Sequence, residues 1–154
     1  MTGLSQFTSV RVGKIATGFL SVQTAGEGLF EFTAEVARFL EQIRAREGVL
    51  LVYLRHTSAS LVIQENADPD VHADLVTALR RAAPDDFGWL HQTEGADDMP
   101  AHVKSMLNGV CLHVPVVGGE MALGTWQGIY VAEHRARAHR REVVVQFLGD
   151  CDER

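Results

Sequence analysis

Cysteine is scarce. Only Cys111 and Cys151 occur among the 154 residues, and they form no close-spaced pair. In a reducing compartment such residues serve as small apolar fillers, so neither a disulfide framework nor a redox role is indicated. Long apolar runs are also missing: the longest, such as Val49 to Leu54, fall far short of the roughly 20 residues a helix needs to cross a bilayer. The segment Met1 to Gln6 has neither a basic stretch nor an apolar one and does not read as a signal peptide, so a cytoplasmic location with no membrane partner is expected. Excess basic charge is lacking too, and a formal charge of −6 argues against a general nucleic-acid binder, which needs a broad basic face. With no internal repeat, low-complexity tract or Pro/Ser-rich linker, residues 1–154 read as a single domain. Its 46% apolar and 22% charged residues suit one folded core.

One basic cluster stands out against the acidic background. Arg135, Arg137, Arg140 and Arg141 place four guanidinium groups in seven residues that contain no carboxylate. A solvated loop between two strands is the favoured reading, ahead of a phosphate site.

Periodicity predicts the order of elements. Residues from about Gln6 to Thr24 suggest two strands and a turn. Val36, Phe39, Leu40 and Ile43 follow helical spacing after a Thr33 N-cap, with Gly48 as the stop. Val49 to Leu54 reads as a strand covered on both faces, and Leu61 to Ile63 as its partner across a polar bend. Asp68-Pro69-Asp70 starts a second helix with Leu75 and Leu79 on its apolar stripe. Pro100 marks a third, with Val103, Met106 and Leu107 on one face and Asn108-Gly109 as the stop. From Val110 the period is two, with a hairpin turn at Gly118-Gly119 and three further apolar stretches: Met121 to Leu123, Ile129 to Ala132, and Val143 to Leu148. This order lacks regular βαβ alternation, so the expected fold is α+β with mainly antiparallel strands and about three helices.

Four long blocks carry a resemblance: His56-Thr57-Ser58-Ala59-Ser60-Leu61-Val62-Ile63; Glu65 to Val71; Glu94-Gly95-Ala96-Asp97-Asp98-Met99-Pro100-Ala101-His102-Val103-Lys104; and Leu123 to Tyr130 running into Glu133-His134-Arg135. In this order and spacing the chain resembles the YjbQ family, also named the secondary thiamine-phosphate synthase enzyme family. Residues 85–93 match its pattern only loosely, with His91 as the equivalent of its usual histidine. The resemblance implies a β-sandwich subunit assembled as a homotrimer. It also implies an activity joining a pyrimidine methyl diphosphate to a thiazole phosphate with release of diphosphate.

Three of the seven histidines draw attention within these blocks: His56, His102 and His134. His102 lies in the first turn of the Pro100 helix, where the positive end of the dipole favours a neutral ring able to bind a metal. Asp98, four residues earlier, can face the same side, which leaves Asp97 a structural role. On a regular strand Glu133 and His134 point oppositely; His134 is expected in the site and Glu133 beside an arginine. The expected ligands of a divalent ion, zinc or magnesium, are therefore Asp98, His102 and His134.

His56, Ser58 and Ser60 would share one face of an extended strand and present an imidazole and two hydroxyls to an anionic substrate. Glu65 and Asn66 either orient His56 or bind substrate. Trp126 and Gln127 offer stacking and edge recognition to a heteroaromatic ring, unless Trp126 belongs to the core, and Arg135 offers a cation to phosphate. Catalytic roles are expected for His56, Ser58 and Glu65, and substrate contacts for Ser60, Asn66, Trp126, Gln127 and Arg135. Two functions fit: a metal-assisted enzyme acting on phosphorylated heterocycles, or a non-catalytic trimer that binds such a molecule or a metal.

Overall fold

The computed structural model describes residues 9–152. In chain order the elements are β1 (Lys14–Thr24), β2 (Gly28–Glu31), α1 (Thr33–Gln42), β3 (Ala45–Leu54), β4 (Ala59–Glu65), α2 (Pro69–Ala82), α3 (Asp98–Asn108), β5 (Cys111–Val117), β6 (Glu120–Met121), β7 (Gln127–Glu133) and β8 (His139–Cys151). They form a five-stranded sheet in the order β1-β8-β3-β5-β6 and a three-stranded sheet in the order β2-β7-β4. Every pairing is antiparallel.

Alternation along the strands sets one face of each sheet against the other. Leu50, Val52 and Leu54 of β3, Val114 and Val116 of β5, and Val143, Val145 and Phe147 of β8 meet Leu61 of β4 and Ile129 and Val131 of β7 in one hydrophobic cluster. Val36 and Leu40 of α1 close it. Each such side chain contributes about 1.5–3 kcal/mol on burial. The opposite face of the small sheet is covered by the other two helices. Tyr130 packs edge-on against His72 of α2, and Ser105 of α3 donates to the Ala59 carbonyl at 2.7 Å. Among the described residues nothing covers the outer face of the large sheet in this way, and Ile15, Phe19, Tyr53 and Val117 are exposed on it.

Several sequence expectations change here. Lys14 to Thr24 is one uninterrupted strand with Gly18 inside it, while residues 1–8 of the expected first segment lie outside the described residues. Thr33 does not cap α1 with its side chain: its hydroxyl donates to Glu31 and accepts from the Ile129 amide. That helix stops at Gln42, and Gly48 sits in β3, where an added Cβ would lie 2.3 Å from the Leu148 carbonyl oxygen. The glycine therefore serves a close approach of strands. β3 is buried on one face only, its other face belonging to the bare side of the large sheet.

The third helix reverses its expected orientation. Its buried face carries Asp98, Ala101, Lys104 and Ser105, while Met106 and Leu107 are exposed. Polar groups can be buried because each finds a partner: Lys104 reaches Glu27 at 2.8 Å and Ser105 the Ala59 carbonyl.

Candidate metal centre

The first turn of α3 organises the site. Asp98 and His102, one helical turn apart, project side by side, with Asp98 Oδ2 3.2 Å from His102 Nε2. The segment between α2 and α3 brings His91 to the same oxygen, its Nε2 at 2.7 Å. One donor atom from each of these three residues lies within 4.8 Å of the others. Asp98 is buried, while the two imidazoles remain partly exposed. The cluster thus has a closed floor and an accessible rim.

Hydrogen-bond roles constrain the protons. His102 Nδ1 lies 2.8 Å from the Thr57 carbonyl oxygen, which can only accept, so Nδ1 carries a proton. In the neutral ring the lone pair is then on Nε2, facing a carboxylate oxygen. Two lone pairs at that separation require a cation between them, either a proton or a metal ion. A backbone carbonyl fixing one imidazole nitrogen is also the usual outer support of a metal-binding histidine.

Arg135 holds the other side of Asp98. Its Nη1 bonds Asp98 Oδ1, its Nε bonds Asp97 Oδ2 at 3.1 Å, and its Nη2 donates to the Glu94 carbonyl at 2.7 Å. Burial opposes ionisation of Asp98, but the hydrogen bond from His91 and the charges of Arg135 and His102 hold its carboxyl below the usual range. Asp97 occupies the N-cap position without capping. Its carboxylate takes Arg135 and the Ala136 amide instead, so it acts structurally, through an arginine and not through the helix end.

A cleft of about 610 Å³ adjoins the cluster, with His102 as a shared wall. Tyr53, His56, Thr57, Ser105 and Met106 also line it. His56 accepts the Glu142 amide proton on Nε2 at 2.7 Å. Burial, with the Arg141 charge, lowers its pKa, in keeping with a neutral ring. His56 thus stands beside the cluster as a cleft residue.

The other expected residues lie elsewhere. His134 is buried and bonded through Nε2 to Ser60 at 2.8 Å, outside the three-residue cluster; His91 takes the place expected of it. Burial, with the charge of Lys104, lowers the His134 pKa to about 4. Ser60 is fully buried between His134 and Asn108, and Ser58 offers its carbonyl to Arg141. The expected common face of His56, Ser58 and Ser60 fails because residues 55–58 lie outside the strands, with a bend at Thr57 and Ser58, and of the three only Ser60 belongs to β4.

Glu65 lies at the far end of β4, about 20 Å from Ala59 at the usual rise per residue. Its carboxylate accepts the Ala67 and Asp68 amides. Asn66 ties down the Thr125 and Gln127 carbonyls, Gln127 accepts the Gly124 amide, and Trp126 is exposed and not a core residue. These four shape the β4–β7 end of the sandwich, away from the cluster. Arg135, expected to meet substrate, is buried among carboxylates.

The arginine cluster does not stay uncompensated. Glu133 accepts from Arg141 at 2.6 and 2.7 Å and from the Thr24 hydroxyl at 2.8 Å, forming a buried pair at one end of the core. Glu133, just outside the basic run, and Asp97 and Asp98, far from it in sequence, therefore neutralise two of the four arginines.

Fold and site together define a class: an antiparallel two-sheet α+β sandwich with two histidines and one carboxylate gathered at a helix start. Residues 19–150 match the family described as UPF0047 protein YjbQ-like, and the chain belongs to that family. It is 45% identical over 132 residues to a UPF0047 protein of Synechocystis, covering 85% of this chain and 90% of that one. With the UPF0047 protein YjbQ of Escherichia coli the identity is 39% over 132 residues, covering 85% and 96%. Among solved structures, a hypothetical protein of Aeropyrum pernix aligns with TM-score 0.81 at 30% identity, covering 88% of this chain and 99% of that one. A conserved hypothetical protein of Thermus thermophilus aligns with TM-score 0.76 at 34% identity, covering 85% and 99%. No described helix is long and apolar enough to cross a membrane.

Proposed function

We propose that the protein is a metal-assisted enzyme whose divalent ion is held by His91, Asp98 and His102 and whose anionic substrate occupies the adjoining cleft. The observation that carries this reading is the convergence of His91 Nε2 and His102 Nε2 on one oxygen of Asp98, with the His102 ring oriented from behind by the Thr57 carbonyl. Two imidazole nitrogens and one carboxylate favour zinc over magnesium, which prefers oxygen donors and retained water. Three protein ligands would leave a position for substrate. A bound ion neutralises charge on a phosphoryl or diphosphate group. His56, Thr57 and Ser105 line the side from which such a group would approach.

A phosphorylated heterocycle is the substrate class, with the joining of a pyrimidine methyl diphosphate to a thiazole phosphate as the specific reaction. The test is calorimetric titration with zinc, followed by turnover assays on protein freed of contaminating synthase. Zinc binding with saturable turnover, both lost in His102→Ala, is the expected result; absence of zinc binding overturns the metal reading. Zinc binding without turnover establishes the alternative, a trimeric metal or phosphoheterocycle carrier. One observation favours that alternative: the carboxylate of Glu65, one of the three residues expected to do chemistry, is taken up by the Ala67 and Asp68 amides.

The reading includes a homotrimer. Ile15, Phe19 and Tyr53 on the bare outer face of the large sheet supply apolar surface for such assembly. Light scattering at micromolar concentration is expected to show a trimer of the 16.9 kDa chain, and a stable monomer overturns it.

A further inference from the structure

Arg135 connects three pieces of chain. It follows β7, and its guanidinium reaches Asp98 at the start of α3, Asp97 before it, and the Glu94 carbonyl in the segment that delivers His91. We infer that Arg135 is the positioning residue of the metal centre, setting two of its three ligands; this rests on the metal reading above.

Asp98 has two carboxylate oxygens, and the one bonded to Arg135 faces away from the histidines, so the fork fixes the plane in which Oδ2 points at His91 and His102. The same guanidinium anchors the backbone three residues beyond His91. Between Ala83 and Asp97 there is no helix or strand to fix that histidine. Asp97 then orients the guanidinium itself from the side, through Nε and Nη2. A lysine retains the positive charge but cannot span three acceptors with a planar fork, so the function belongs to shape as well as charge.

Outer residues that orient ligands typically contribute 10–100-fold in metal affinity. Zinc titration of the full-length protein is therefore expected to show about 10–100-fold weaker binding in Arg135→Lys, with a changed visible spectrum of the cobalt-substituted protein. Arg141→Lys is the control. It disturbs an equally buried arginine–carboxylate pair that does not touch the cluster, and should lose stability while keeping zinc affinity and cobalt spectrum. Should Arg135→Lys fail to fold, Asp97→Asn loosens the guanidinium without removing any ligand and should weaken zinc binding by a smaller factor. Wild-type affinity and spectrum in a folded Arg135→Lys or Asp97→Asn variant, or equal losses in Arg141→Lys, overturn the inference while leaving the metal centre standing. Failure of the wild type to bind zinc removes the metal centre itself, and the inference with it.

Discussion

Two arginine–carboxylate pairs, built from the same short run of sequence, have opposite characters. Glu133 is closed: Arg141 binds both of its oxygens, and the Thr24 hydroxyl and Arg135 amide add further donors. Asp98 is half closed, with Arg135 on one oxygen and two partly exposed imidazoles on the other. A carboxylate saturated by fixed donors has no remaining capacity for a ligand, and its place at the end of the core makes it structural. A carboxylate with one oxygen shared by two histidines retains a position that a proton or a cation must fill. Burial is the same for both, 1% exposed in each case, so the donor set distinguishes site from scaffold.

Breaking the closed pair should have the largest effect. Glu133→Ala leaves Arg141 buried without a counter-charge, and removal of one partner of such a pair typically costs about 3–5 kcal/mol. Denaturant unfolding should register that loss, with zinc affinity of the folded fraction unchanged. An effect on zinc affinity as large as that on stability would erase the distinction between the two pairs.

A closed histidine sharpens the same contrast. His134, buried against Ser60, is held down to about 4 from an ordinary 6.5, so the unfolded chain binds the extra proton first as pH falls. Its contribution is complete above pH 6.5 and is lost between there and about pH 4. At 1.36 kcal/mol per unit this amounts to roughly 3–3.5 kcal/mol. Asp97, Asp98 and Glu133 are also lowered in the folded state, and their contributions fall away at still lower pH, below the ordinary carboxylate range. Stability measured from pH 7 to 4.5 should decline in the wild type and flatten in His134→Gln. A wild-type profile that is level over that range would show that His134 is not the closed group described.

At the open cluster the effect should move from stability to binding. His102→Ala removes a ligand outright and should cost zinc affinity at least ~100-fold, the upper end of what outer residues contribute. Melting of the metal-free protein should change little, because the side chain is partly exposed. A large loss of metal-free stability with unchanged zinc affinity would make His102 part of the scaffold. The smallest effect is expected at Trp126, 65% exposed and remote from the cluster: Trp126→Ala should alter stability by no more than ~0.5 kcal/mol and leave zinc binding as it was. A tenfold drop in affinity would extend the site to the far end of β7.

Period-two alternation in β5 and β8, the Asp68-Pro69 helix start and the Gly118-Gly119 turn were legible because each depends on neighbours a few residues away. In the structure Asp68 accepts the Asp70 amide, and the two turn glycines take φ of +60° and +88°. The sequence blocks likewise placed Asp98 and His102 together, since i, i+4 geometry is local to a helix. By itself, then, the sequence determined the α+β class, the family and two of the three clustered residues.

Tertiary structure decided the remainder. His91 comes from a segment without helix or strand, where no period marks which way a side chain points. His134 sits next to Glu133 and Arg135 in sequence but goes to Ser60 of β4, 74 residues away. Met106 and Leu107 read as core by spacing, yet α3 buries Lys104 and Ser105 instead. Their partners, Glu27 and the Ala59 carbonyl, lie 77 and 46 residues away. Arg135 and Arg141 could not be told apart in a basic run, since what separates them is the carboxylate that each meets in space, Asp98 for one and Glu133 for the other. Local propensities act over a few residues, whereas satisfaction of buried charge acts through space, and the latter drew the boundary between site and scaffold.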